Sequence, residues 1–394
     1  LDHLPRVVVG NKDCRQPYHP SILNITAMSF GSLSSHAVEA LNAGAKIGGF
    51  AHNTGEGGLS PHHLKGGGDL IWQIGTGYFG ARTEDGKFSG EAFRINSSRP
   101  EVKMIEIKLS QGAKPGHGGI LPAKKNTPEV AAIRLLKPGT TVFSPPFHSA
   151  FSTPKEMIGF IQKLRELSGG KPVGFKLCVG RKSEFISICK AMVELDSYPD
   201  FITVDGGEGG TGAAPPEFSN FVGMPLLDGL AFVDNILKGF GIRHHIKVGA
   251  SGKILTGFQI LRAVALGADM CNSARAMMMA VGCIQALECN KNTCPAGVAT
   301  QDPDLVVGLD VDDKKVRVAN FHKNTVESFV ELMSASGIET PSKLNRHQIS
   351  RGVFMNEVKT LEEIYPSIPT GSMLTKPVPE RYRMSFESAS SEKF

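Results

Sequence analysis

Eight short β-branched runs alternate with amphipathic helical stretches between residues 22 and 282 of a 394-residue chain, and this alternation constrains the fold more than any other feature. The runs fall at 22–30 (ILNITAMSF), 49–53 (GFAHN), 104–109 (MIEIKL), 141–145 (TVFSP), 173–178 (VGFKLC), 201–205 (FITVD), 245–250 (HIKVGA) and 269–273 (DMCNS). They are apolar at nearly every position, as parallel strands covered on both faces are. Eight of them joined by helices predict an α/β chain closed into a (β/α)8 TIM barrel. The helices carry their own punctuation: Thr153-Pro154-Lys155-Glu156 predicts a capping box with proline at the first helical position, and Gly169-Gly170 predicts the stop. The stretch 54–103 reads as a long glycine-rich insertion after the second strand, and loops of that length in a compact barrel are usually functional.

Beyond the barrel, Cys283-x5-Cys289-x4-Cys294 with Pro295 directly behind is an iron–sulfur spacing. Three thiolates without a fourth nearby suit a [3Fe–4S] cluster, whose missing iron corner needs no ligand. A structural zinc site is the alternative, although CNKNTC is wide for a zinc knuckle. The expected organisation is an N-terminal arm (1–21), the barrel (22–282), a cluster loop with a helix over 313–337 (283–345), and a C-terminal tail (346–394) read as an extended wrap or partner-binding arm. The four remaining cysteines (Cys14, Cys178, Cys189, Cys271) stand singly among apolar residues, as buried thiols of a reducing compartment do. That points to the cytoplasm, with an upstream membrane segment left open because the chain does not begin with methionine. A net charge of +5 without a basic run gives no nucleic-acid footprint.

The strand ends hold the candidate chemistry. Gly249, Ser251 and Gly252 after the seventh strand, with Asn272, Ser273 and Arg275 after the eighth, offer backbone N–H groups and a cation to a mononucleotide phosphate; the alternative for Ser251-Gly252 is simple helix capping. Lys176 lies inside a strand, where a buried amine must be paired or used. It suits the N1–C2=O edge of a flavin, or an ion pair with Glu106 or Asp205. Lys114 in QGAKPGHGG (111–119) and Arg134 in the helix behind suit a dicarboxylate, a solvated surface role being the alternative for each. Glu56 in NTGEGG (53–58) is placed to steer an amine or relay a proton. Gly207-Glu208-Gly209-Gly210-Thr211-Gly212 fits a dinucleotide fingerprint, but Ala213-Ala214-Pro215-Pro216 follows where a helix should begin. It reads as a rim loop.

The run MSFGSLSSHAVEALNAGAKIGG, then NTGEGG, QGAKPGHGG, SPPFH, VDGGEGGTGAAP and CNKNTCPAGVATQ, in that order, closely resembles the synthase domain of glutamate synthases over residues 20–345. The resemblance implies an FMN-bearing barrel with a [3Fe–4S] cluster on Cys283, Cys289 and Cys294, passing hydride to 2-iminoglutarate formed from 2-oxoglutarate and ammonia. By motif position it implies 2-oxoglutarate binding by Lys114 and Arg134 and a role near the ammonia entry for Glu56; Glu56 and Lys176 are the expected catalytic residues, and Ser29, Gly31, Gln111 and Asp205 are expected among the cofactor contacts. The chain departs from the family in carrying Ile120 where family members have glutamine and His117 where they have an acidic residue. Nothing in it resembles the N-terminal amidotransferase, so the expected nitrogen source is free ammonia, an amine as in N-methylglutamate synthases, or a glutaminase subunit. The absence of a nicotinamide motif points to a ferredoxin or flavoprotein electron donor. An amine or amino-acid oxidoreductase and a non-catalytic electron-relay subunit are the competing functions.

Overall fold

A computed structural model describes residues 4–210, 214–215 and 217–394. Eight parallel strands close into a barrel in sequence order: β1 (Leu23–Ile25), β2 (His52–Asn53), β3 (Leu70–Ile74), β4 (Val102–Lys108), β5 (Val173–Leu177), β6 (Phe201–Asp205), β7 (Lys247–Ser251) and β8 (Met270–Ser273). The principal helices around it are α1 (Ser35–Gly48), α2 (Pro61–Lys65), α3 (Gly90–Ser97), α4 (Pro128–Arg134), α5 (Pro154–Leu167), α6 (Lys182–Leu195), α7 (Leu226–Gly239) and α8 (Gly257–Ala265). The α5 capping box forms as expected: Thr153 accepts from the Glu156 N–H, and the Glu156 carboxylate accepts in return from the Thr153 N–H. The expected barrel is therefore present, with two changes of membership.

The run 141–145 is not a barrel strand. Val142–Phe143 pairs antiparallel with Ile120–Leu121 in a small hairpin, Phe143 is 70% exposed, and Pro145 and Pro146, which have no N–H to give a ladder, follow at once. The missing strand is β3, LIWQI, inside the stretch expected to be an insertion. The glycines on both sides disguised it. The real insertion, 109–153, follows β4 and carries the hairpin and α4.

Alternate residues of the strands point into the barrel. At the N-terminal end Val9, Ala51, Ile71, Met104, Phe201 and Met270 form an apolar cluster apart from the main core, closed below by the bridge of Val9 to Tyr18 in the N-terminal arm. Midway, Glu106 accepts hydrogen bonds from Asn53 (2.8 Å), Gln73 (2.7 Å) and Thr203 (2.7 Å). Above them, Lys108 lies opposite Lys176, and Asp205 opposite Ser251.

After β8 come α9 (Arg275–Ala280), α10 (Pro303–Val306) and α11 (Val311–Ala335), the last being the long helix expected over 313–337. The C-terminal region folds onto the barrel. It forms a hairpin (Ser350–Phe354 with Glu357–Thr360), then α12 (Leu361–Ile364) and α13 (Glu380–Ser388). Lys190 on α6 donates to the carbonyls of Phe386 and Ala389, and Asn235 on α7 donates to the Tyr382 hydroxyl. Among the described residues no helix is long and apolar enough to cross a membrane.

Candidate active site

A cavity of about 430 Å3 opens at the C-terminal ends of the strands. The barrel dictates this position, because the loops that follow parallel strands converge there. Its centre is an ion pair that the sequence reading missed: Lys108 Nζ, at the end of β4, lies 2.7 Å from Glu56 Oε1 and donates to Gln111 Oε1 at 2.6 Å. Burial pushes the Glu56 carboxyl up, but Lys108, with Arg134 and Lys114 beyond, holds it below the ordinary carboxylate range. Burial, and then the repulsion of Lys108, lowers Lys114.

Arg134 closes α4 and is only 5% exposed, and burial pushes it down to about 10. Its Nη2 donates to the Phe30 carbonyl at 2.8 Å, its guanidinium lies 5.2 Å over the Phe79 ring, and its buried Nε has no partner among the described residues. Glycine is required beside it: a Cβ on Gly57 would stand 2.7 Å from Nη2, and one on Gly31 would stand 2.8 Å away.

Lys176 lines the same cavity, 4% exposed, and among the described residues forms an ion pair with neither carboxylate offered as its partner. Glu106 is taken up by the three bonds above, and Asp205 accepts the Gly112 N–H at 2.8 Å. Ser29, Gln111, Asp205, Ser251, Gly252 and Arg275 also line the cavity. Four expected contacts do not. Gly31 makes room for Arg134 instead; Gly249 sits down in β7 against Thr203; Ser273 Oγ donates to the Ile254 carbonyl at 2.7 Å; and Asn272 is buried with an unpartnered Oδ1. Gly209 and Gly210 reach the cavity, whereas Thr211, Gly212, Ala213 and Pro216 of that loop lie outside the described residues. The next helix starts only at Leu226, which agrees with rejecting a dinucleotide fingerprint.

Cys283, Cys289 and Cys294, on the loop between α9 and α10, form one wall of the cavity. Burial raises the Cys289 thiol, Cys283 and Cys294 raise it further, and Lys125 opposes them. Among the described residues the side chains form no ready-made metal-binding group. Lys125 is 3% exposed and donates to the Ser32 carbonyl at 2.7 Å. Of the two missed lysines, Lys108 had a signal: it ends an apolar strand, just as Lys176 interrupts one.

The conserved region in glutamate synthase matches residues 10–339. The glutamate synthase large subunit-like protein YerD of Bacillus subtilis (strain 168) is 46% identical over 344 residues, 87% of this chain and 65% of that protein. The archaeal glutamate synthase [NADPH] of Methanocaldococcus jannaschii is 36% identical over 342 residues, 86% of this chain and 63% of that protein. The chain thus spans less than two thirds of the length of these relatives. Among solved structures, a mandelate oxidase mutant with a monooxide FMN adduct covers 91% of this chain at 16% identity, with a TM-score of 0.49. Matched over most of its length, and with the matched motifs gathered around one cavity, the chain belongs to the glutamate synthase family.

Proposed function

We propose that this chain is an FMN- and iron–sulfur-dependent oxidoreductase that reduces 2-iminoglutarate, formed from 2-oxoglutarate and ammonia, to L-glutamate. The observation that carries the reading is the charge of the cavity: seven cationic side chains against three carboxylates among its described lining residues. Lys108 is occupied by Glu56, which leaves Lys114, Arg134 and Lys176 buried without a carboxylate partner among the described residues. Buried cations left unpaired are costly, and anionic ligands relieve that cost.

The residues fit FMN. Ser251, Gly252 and Arg275 would take the phosphate, and the partnerless Lys176 amine would hold the N1–C2=O edge, with Ser29, Gln111 and Asp205 completing the site. Bound FMN would supply the hydride from N5. Lys114 and Arg134 would orient the substrate carboxylates, the guanidinium bidentately. Glu56, kept ionised by Lys108, would draw in ammonium and accept its proton. The three thiols match the chemistry of an iron–sulfur donor set, and Cys283, Cys289 and Cys294 would hold the [3Fe–4S] cluster that feeds the flavin. The electron donor would be a ferredoxin or flavoprotein, and the nitrogen would come from free ammonia, an amine or a separate glutaminase subunit.

Ile120 favours a second reading. It lines the cavity with Leu121 and Val142, while His117 is turned edge-on to Phe218 with ring centroids 4.7 Å apart. An apolar wall cannot donate to a keto acid, so an N-alkyl or less polar substrate fits this side better than 2-oxoglutarate. Reducing the protein anaerobically and then adding 2-oxoglutarate with ammonium decides between them. Flavin reoxidation with glutamate formed supports synthesis; reoxidation only by another keto acid and amine supports the second reading; none by any imino acid leaves an electron-relay subunit.

A further inference from the structure

Among the described residues Arg134 makes one side-chain hydrogen bond, so its position depends on the helix that carries it and on the Phe30 carbonyl. Both lead to His62 on α2. Glu129, in the first turn of α4, lies 2.8 Å from His62 Nε2, and the Phe30 ring lies 4.5 Å from the His62 ring. On its other side His62 Nδ1 is 2.7 Å from Glu39 Oε1 on α1, and Lys65 donates to the second Glu39 oxygen at 2.8 Å.

Both partners of the ring are carboxylates. An ionised carboxylate only accepts, so both ring nitrogens must donate, which the imidazolium alone can do. Burial pushes Glu39 up, but Lys65 and His62 hold it below the ordinary carboxylate range, so it remains ionised. The other titratable neighbour, His63, is pushed down to about 4 by burial and is neutral. When His62 loses its proton, one contact fails. Glu39 is 8% exposed and shared with Lys65, whereas Glu129 is 55% exposed and free to turn into water. The contact to α4 is the one that opens.

We infer that protonated His62 is a positioning residue: by tying α1 to α4 through Glu39 and Glu129, it sets where Arg134 presents its guanidinium to an anionic substrate. This rests on the reading of Arg134 as a carboxylate anchor. Breaking the His62–Glu129 contact therefore raises KM for the keto acid and leaves kcat nearly alone, because among the described residues Glu56, Lys108 and Lys176 make no hydrogen bond or ion pair with His62.

The test compares wild type, His62→Gln, Glu129→Gln, the double variant and Arg134→Ala, measuring KM and kcat from about pH 6 to about pH 9, with 15N signals of the wild-type histidine rings recorded over the same range. Breaking the His62–Glu129 contact should raise KM about fivefold, a partial loss of one charge-assisted contact, with kcat held. Glu129→Gln should show the raised KM throughout with a flat pH profile, and the double variant should be no worse than either single one. If Glu129→Gln keeps the wild-type KM and profile while Arg134→Ala raises KM, or if kcat falls along with the rise in KM, the inference is overturned. A lowered melting temperature with unchanged KM overturns it too, by reducing the contact to a structural one. An unchanged KM in Arg134→Ala defeats the substrate reading itself, and the role of His62 with it.

Discussion

The two ends of the barrel are made from the same strands and do opposite work. At the N-terminal end, Met104 and Phe201 belong to an apolar plug; a few residues along, the same strands present Lys108 and Asp205 to the cavity. The plug is satisfied by packing alone. The mouth keeps buried cations without carboxylate partners among the described residues, an arrangement that a stable fold does not need and that the proposed anionic ligands would complete. The difference teaches that stability and function are separable along one strand: removing floor side chains should cost stability, and removing mouth side chains should cost binding.

The largest expected effect tests the cysteine wall of the mouth. If Cys289 holds the proposed cluster, Cys289→Ala, purified anaerobically, should lack the iron that the wild type carries while flavin content and melting temperature hold, as metal analysis and absorbance will show. Iron retained at wild-type level removes Cys289 from the ligand set.

Phe201→Ala tests the floor. Phe201 is fully buried, so its truncation should destabilise by about 3–5 kcal/mol in urea unfolding, with KM unchanged in the folded enzyme. A raised KM at unchanged stability would break the comparison. Arg134→Ala is the converse. KM for the keto acid should rise at least about tenfold, corresponding to roughly 1.5–3 kcal/mol for a charge-assisted contact, without loss of stability or of flavin reduction. If stability falls and KM does not, Arg134 is a structural residue.

Per pH unit, the smallest effect is the acid response. Burial pushes His63, His148 and His322 each down to about 4, below the ordinary value near 6.5. Between those values the unfolded chain binds protons that the folded chain refuses, so stability falls as pH falls through that window, by up to about 1.4 kcal/mol per pH unit for each ring. His322, on α11 and stacked on Phe50, does not line the cavity and is the cleanest probe. His322→Gln should flatten the decline by one ring's share while leaving KM alone; an unchanged slope would mean that His322 is already protonated in the fold.

The sequence by itself determined the barrel, because eight buried parallel strands have few other ways to close. It also determined most of the mouth: Glu56, Lys114, Arg134, Lys176, Ser251 and the three cysteines all line one cavity, since residues after parallel strands gather at one end whatever their sequence separation. Tertiary structure decided what local pattern cannot encode. LIWQI joined the barrel and TVFSP did not, because pairing depends on neighbours brought from elsewhere in the chain. Ser273 turned to the Ile254 carbonyl rather than to the cavity. Lys108 found Glu56, and His62 found both Glu39 and Glu129, across separations at which charge has no sequence signature. An ion pair is a fact of distance, and only the closed barrel sets those distances.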